Sequence, residues 1–286
     1  MKFTFIREHR REFPVVDMCR VLDVSKSGFY RWIDHPVGKR ERGRLELGDA
    51  IARVHRENRG VYGSPRVRAA LVGEGRTVCR NTVAKVMKER GIQARTHRRF
   101  KVRTTDSNHA FPVAKNLLDR KFTAARPDQV WLTDITYIPT DEGWLYLAGV
   151  MDLCSRKIIG WSMAEHMRVQ LVRDALNMAL EARRPGAELL HHSDRGVQYA
   201  CDEYQQILAS RGIRVSMSRV GDCYDNAPKE SFWSKLKTEL VYLEHFATRA
   251  QARAAIFDYI ECFYNRVRLH SSLGYVSPER FEAGLT

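Results

Sequence analysis

Nowhere in the 286 residues is there a run of the roughly 18 apolar side chains that a membrane span requires. The start, MKFTFIREHRREF, lacks the apolar stretch of a secretory leader. Neither a membrane partner nor export is expected. Cysteine is sparse: Cys19, Cys79, Cys154, Cys201, Cys223 and Cys262 are scattered without a CxxC pair. Their spacing speaks against a zinc knuckle or a disulfide framework and leaves reduced core thiols as the expectation. His191 and His192 have no second His/Cys cluster near them, so they read as structural histidines rather than metal ligands.

What is present is positive charge, unevenly spread. The net charge is +14. Residues 1–126 hold 30 Lys/Arg against 13 Asp/Glu, whereas residues 127–286 hold 18 against 21. A balance of +17 followed by one of −3 points to a polyanion-binding segment joined to a part that keeps its carboxylates for another purpose.

The basic half reads as helices in pairs. PVVDMCRVLDV from Pro14 has helical apolar spacing, and SKSGFYRWI follows with Ser25 as N-cap. SPRVRAALVGEG from Ser64 is a helix with a glycine stop, and RNTVAKVMKERG turns Val83, Val86 and Met87 inward. Two tandem helix-turn-helix units, residues 1–45 and 46–94, would set the helices starting near Ser25 and Asn81 in a major groove. Lys26 and Arg31 on the first, and Asn81, Lys85 and Lys88 on the second, are the candidate DNA contacts. Residues 95–126 show no apolar periodicity and many basic residues, and read as a basic linker.

From Pro127 the pattern changes. QVWLTDITYIP, WLYLAGVMDL and KIIGWSM read as an antiparallel meander, followed by helix, strand AELLHHS, helix, strand IRVSMS and helix APKESFWSKLKTEL. The order βββαβαβα predicts a mixed sheet covered by helices over 127–246, with a C-terminal helix and tail over 247–286. Three acids fall at telling places on this layout. Asp134 interrupts the first strand, Asp194 follows the fourth, and Glu230 lies early in a helix that Asp225 or Asn226 could cap and Pro228 could open. Asp152, Asp202 and Asp225 read as caps or surface carboxylates.

Since the first and fourth strands are neighbours in such a sheet, the three acids could converge. They would then repel one another unless divalent metal neutralised them. All-oxygen ligation suits Mg²⁺, with Mn²⁺ as an alternative, and two ions ~3.5–4 Å apart would promote in-line displacement at phosphorus.

Asp194 and Glu230 are separated by 35 residues. With that spacing, WLTDITYI, YLAGVMDLCSRKIIGW, HHSDRGVQY, DNAPKESFWSKLKTEL and YNRVRLHSSLGYVSPE resemble the DDE transposases of bacterial insertion sequences, specifically the second-frame subunit of the insertion-sequence-three family. The resemblance covers nearly the whole chain. It implies a ribonuclease H-like α/β core related to retroviral integrases, with Asp134, Asp194 and Glu230 as the metal-binding catalytic triad. It implies strand cleavage and transfer at the terminal inverted repeats and at target DNA, a copy-out, paste-in route through a circular intermediate, a homo-oligomer on DNA, and a cytoplasmic, nucleoid-associated protein.

Two features depart from related patterns. The zinc-bound His/Cys module of retroviral integrases has no counterpart here, and no leucine-heptad segment precedes the helices. In the family that segment comes from a first-frame partner or a frameshift fusion, so this chain alone is expected to be an incomplete form of the active enzyme. A basic residue seven positions after the glutamate, here Lys237, shares a face with Glu230 and Ser234 if the helix is regular. It is the expected contact to a terminal DNA phosphate, with Trp233 and Leu236 left to core packing. The rival readings are a non-catalytic DNA-binding regulator and a ribonuclease H-type nuclease. Three intact acids argue against the first, and tandem DNA-reading modules against the second.

Overall fold

The computed structural model describes residues 1–34, 38–95, 111–186, 188–219 and 227–285. They divide into two units, Met1–Ala94 and Arg95–Thr286.

The first unit is helical. Helices α1 (Lys2–His9), α2 (Val15–Val21) and α3 (Lys26–Asp34) close over Ile6, Met18, Cys19 and Phe29. The Ser25 hydroxyl accepts from the Gly28 amide at 2.9 Å, the N-cap expected for α3. Helix α4 (Lys39–Glu57) precedes the pair α5 (Ser64–Gly73) and α6 (Arg80–Glu89), whose Val83, Val86 and Met87 are buried as expected. Sequence reading passed over α1 and α4. The stripe Leu47, Ile51 and Val54, at i, i+4 and i+7, is the signal for α4, diluted by ten charged residues in its nineteen. Arg90 on the end of α6 reaches back to α4, donating to Asp49 at 2.6 Å and to the Leu45 carbonyl at 2.9 Å. Gly48 makes room for it, since a Cβ there would lie 2.1 Å from the guanidinium.

The second unit is built on a five-stranded mixed sheet of order β3-β2-β1-β4-β5, the ribonuclease H-like α/β layout expected. Strands β1 (Val130–Thr140), β2 (Gly143–Asp152) and β3 (Ile158–Ala164) form the meander. Strands β4 (Leu190–Ser193) and β5 (Arg214–Met217) run parallel to β1, with Leu132 opposite His192. Helix α7 (Val169–Arg183) packs Leu171, Ala175, Leu176 and Ala179 with Trp131, Ala148 and Val150 of the sheet. The approach is so close that a Cβ on Gly160 would meet the Ala175 carbonyl at 2.3 Å. Truncating a leucine in such a core costs about 2–5 kcal/mol. Short α8 (Val197–Ala200) and α9 (Asp202–Ser210) lead from β4 to β5, and α10 (Ala227–Leu236) follows.

Residues 111–126, grouped above with the linker, lie against this sheet. The Leu117 and Leu118 amides donate to Ser216 Oγ, and Leu118 is buried with Leu132, Leu153 and Leu190. One leucine pair amid basic residues is too little for a periodicity to register.

Helix α10 does not run on as an α-helix. At Lys237–Val241 it becomes a π turn, in which the Tyr242 amide donates to the Lys237 carbonyl five residues back at 2.8 Å. Glu239 within that turn accepts from Arg268 Nε at 2.7 Å, Arg268 Nη2 at 2.6 Å and the Tyr259 hydroxyl at 2.8 Å. After α11 (Arg249–Phe257), which opens on a Thr248/Gln251 capping box, a second π segment covers Asp258–Tyr264. The Asn265 side chain then bonds both the amide and the carbonyl of Ile158, tying the tail to β3. Helix α12 (Pro278–Ala283) is the last element.

Two expectations need correction. The five described cysteines are free, but Cys79 and Cys262 are exposed rather than in the core; Cys79 caps α6, its sulfur accepting from the Thr82 amide. Asp152 is fully buried rather than a surface carboxylate. It accepts from the amides of Asp128 and Ser155 and from the Ser155 hydroxyl, closing the turn after β2, and this local set of donors is what makes its burial tolerable. Asp202 is exposed in the first turn of α9, with Cys201 at the N-cap. The capping assigned to Asp225 or Asn226, and Cys223, lie outside the described residues.

Candidate active site

Because β1 and β4 are parallel neighbours, Asp134 in mid-strand and Asp194 just past the end of β4 come together. Asp134 Oδ1 accepts from the Ile135 amide at 2.8 Å and Oδ2 from Trp233 Nε1 at 3.0 Å. Asp194 Oδ1 accepts from the Gly196 amide at 2.9 Å. Burial, and then the neighbouring Asp194 charge, push Asp134 up to about 7. Two carboxylates that resist joint ionisation form a place where positive charge is favoured.

Beneath them the sheet is polar and mostly paired, with His191 Nδ1 left without a hydrogen-bond partner. His192 joins Ser216 through Nδ1 and Ser218 through Nε2, while His191 Nε2 meets the Tyr204 hydroxyl at 3.0 Å. Burial drives His191 down to about 3, which keeps it neutral. Both imidazoles are fully buried and bonded within the fold.

Helix α10 crosses the Asp134 side of the sheet and brings a residue that sequence reasoning missed. Lys229 is fully buried, its ammonium has no hydrogen-bond partner, and it sits over the faces of Trp233 at 4.5 Å and Phe232 at 5.2 Å. A Cβ on Gly149, the cross-strand partner of Asp134, would lie 2.7 Å from Lys229 Nζ, so glycine at that position leaves the space that the lysine fills. Burial pushes the lysine down, and attraction to Asp134 pulls it back up.

Glu230, one residue on, is exposed. Successive residues on a helix point about 100° apart, so Lys229 and Glu230 do not face one target together. Among the described residues no group of three or more His, Cys, Asp or Glu side chains is arranged to hold a metal ion. The structure thus joins Asp134 to Asp194 and leaves Glu230 on the outer side of α10.

The face expected to turn inward, Glu230, Ser234 and Lys237, is also corrected. Trp233, assigned to packing, hydrogen-bonds Asp134, and Lys229 lies one turn before it. Lys229, Phe232, Trp233 and Leu236 form the buried face of α10, and the π turn follows only after them. Lys237 still lies on this side: half-buried, with its ammonium 4.3 Å from the centroid of Tyr137, it is lowered by burial and raised by Asp134. Lys235 bonds the Ser231 carbonyl at 3.1 Å instead.

In the helical unit Asn81, Lys85 and Lys88 are exposed along α6 at i, i+4 and i+7, and Lys26 and Arg31 are exposed on α3.

Comparison with known proteins adds to this geometry. Integrase core domain families match residues 124–223, which include Asp134 and Asp194, and residues 230–284, which start at Glu230. An HTH-like domain family matches residues 42–100. The chain is 44% identical over 284 residues to the transposase InsF for insertion sequence IS3A of Escherichia coli K12, covering 99% of this chain and 98% of that protein. It is 45% identical over 264 residues to an uncharacterized 31 kDa protein of insertion element IS600 from Shigella sonnei, covering 92% and 97%. Among solved structures, a chain of the simian T-cell lymphotropic virus intasome in complex with PP2A regulatory subunit B56 gamma aligns at 17% identity and TM-score 0.48, covering 81% of this chain and 74% of that one. The HTLV-2 integrase catalytic core in complex with magnesium aligns at 13% identity and TM-score 0.42, covering 56% and 99%.

Proposed function

The chain belongs to the family of insertion-sequence transposases that includes InsF of IS3, and from that premise we propose that it cuts and joins DNA strands at the terminal inverted repeats of its own element. The observation that carries the reading is the meeting of Asp134 and Asp194 on neighbouring parallel strands, in a chain whose other unit keeps basic side chains on exposed helical faces.

The helical unit holds the ends. Asn81 reads base edges, while Lys85, Lys88, Lys26 and Arg31 take phosphates. In the core, water attacks the phosphodiester at the element's end, the bond from phosphorus to the bridging 3′-oxygen breaks, and that oxygen leaves as a 3′-OH. The hydroxyl then attacks a second phosphodiester and displaces its 3′-oxygen. Each step exchanges one P–O bond for another, so no covalent protein intermediate is needed. Lys237 holds a terminal phosphate in line beside the carboxylates. A homo-oligomer brings the two ends and the target together.

Asp134, Asp194 and Glu230 form the triad in this reading, with two Mg²⁺ or Mn²⁺ ions. Such ions, when bound, supply the positive charge that stabilises attacking and leaving oxygens. The fit is good at Asp134 and Asp194, an all-oxygen pair whose repulsion a cation would relieve. It is incomplete at α10, where Lys229 faces Asp134 and Glu230 does not.

The test is incubation of the full chain with Mg²⁺ and DNA bearing the element's ends, scoring new 3′-OH ends and joined products. Cleavage lost in Asp134→Asn and Asp194→Asn supports the proposal; cleavage at the wild-type rate in either removes that residue from the site.

A further inference from the structure

Helix α10 carries one residue more than an α-helix would need to span the same path. A π turn accommodates that extra residue, so every position before it is set back by one along the helix surface. The C-terminal half of the turn is held, because Glu239 at its centre is gripped by Arg268 and Tyr259 and Leu240 and Val241 after it are buried. If the π turn relaxed to α while that grip held, the residues before it would advance by one, rotating by about 100°. Glu230 would then stand where Lys229 stands now.

Other parts of the structure fit this exchange. Lys229 is buried without a hydrogen-bond partner for its ammonium, an arrangement that is costly unless a charge nearby compensates. The space it fills exists because residue 149 is glycine. The helix offers Trp233 as a neutral donor to Asp134, a bond that a neighbouring register could give up without stranding a buried charge.

We propose that Lys229 is a built-in counter-ion for the Asp134–Asp194 pair, and that a one-residue register shift of α10, absorbed by the π turn at Lys237–Val241, exchanges it for Glu230. Lys229 is thus a positioning residue that keeps the acidic site closed to divalent cations until the helix shifts. The inference rests on the proposed triad.

The experiment uses the full chain with Mn²⁺ alone, without DNA. Mn²⁺ binding is followed by electron paramagnetic resonance, and Lys229 acetylation by acetic anhydride is mapped by mass spectrometry. In the wild-type chain, Lys229 is expected to label slowly without Mn²⁺ and about tenfold faster with it, as the competent register goes from minor to dominant. Lys229→Met is expected to tighten Mn²⁺ binding by about the same factor. Adding Glu230→Gln to that variant should remove the gain, which a merely structural lysine would not produce. Deleting Thr238, inside the π turn, should expose Lys229 to label without Mn²⁺. Lys229 labelling that is indifferent to saturating Mn²⁺, or a gain in Lys229→Met that survives Glu230→Gln, overturns the exchange. If Asp134→Asn and Asp194→Asn bind Mn²⁺ as the wild type does, the metal-site reading itself falls. Should Lys229→Met fail to fold, the wild-type labelling decides alone.

Discussion

The two units differ in where they keep their polar groups. Among the described residues, every buried polar or charged side chain, from Thr133 and Asp152 through His191 and His192 to Lys229 and Arg268, lies in Arg95–Thr286. The helical unit buries only apolar residues such as Ile6, Phe29, Ile51, Tyr62 and Val83, and its ion pairs, Arg53 with Glu57 and Glu74 among them, lie at the surface. Exposed pairs of that kind contribute about 0–1 kcal/mol each. The contrast fits the two tasks proposed for the units. A phosphate-reading surface needs its charge in solvent, where counter-ions can be released. Phosphoryl transfer needs charge held where water is restricted, so the core of the second unit carries chemistry as well as shape.

The largest expected effect would separate the units outright. Asp134→Asn, Asp194→Asn and Glu230→Gln should each lower cleavage by about a thousandfold, the scale of removing a principal electrostatic element from an active site. Binding to the element's ends, measured by mobility shift, should stay at the wild-type level. A parallel loss of end binding would mean that DNA recognition depends on the catalytic unit.

Next in size is Lys237. Held half-buried over Tyr137, it is already oriented. Lys237→Ala should slow cleavage at saturating DNA about a hundredfold by loosening the scissile phosphate, with Lys237→Arg partly active. Lys235→Ala should change little. Equal rates for the two alanine variants would reduce the contact to diffuse charge.

The site was legible in the sequence as far as local rules reach. A carboxylate inside WLTDITYI and another after HHS stand out because strands leave few reasons for acids there, and adjacency of β1 and β4 follows from element order alone. The helix carrying Glu230 was legible, but its rotation was not. An α-helical wheel does not say which face of α10 meets the sheet, and in the structure it is Trp233 that bonds Asp134. Lys229 was missed because a lysine beside the candidate glutamate reads as solvated until its burial is seen. In the helical unit α4 escaped because its buried stripe is short and its ends are crowded with charge.

A smaller effect probes the helical unit by itself. A fragment ending near Arg126 should bind DNA and keep most of the salt dependence of the full chain, while one beginning at Pro127 should bind poorly. Within it, Lys85→Ala or Lys88→Ala should flatten the log-log salt slope by ~0.9 for all sequences. Changing Asn81 should instead alter base preference by about 1–3 kcal/mol. A dominant slope in the isolated core would reverse the assignment of roles.

The smallest effect tests whether the polar interior of the catalytic unit makes it the acid-sensitive one. His191 is held at about 3 by burial, against 6.5 when the chain is open. Between those values the unfolded chain binds a proton that the folded one refuses, so this group withdraws stability as pH falls below 6.5, by about 1.4 kcal/mol per unit. Asp134 acts in the opposite sense over part of the same range. Its folded value, about 7, exceeds its unfolded one, so protonation favours the folded state as pH falls through it. Wild-type stability alone would therefore show a muted slope. The informative quantity is a difference: in His191→Gln, whose amide can still meet the Tyr204 hydroxyl, the Asp134 contribution is common to both proteins and cancels. Urea unfolding of the two at pH 7 and pH 5.5 should show the variant gaining about 1.4 kcal/mol on the wild type at the lower pH. An unchanged difference would mean that protonated His191 is accommodated in the fold.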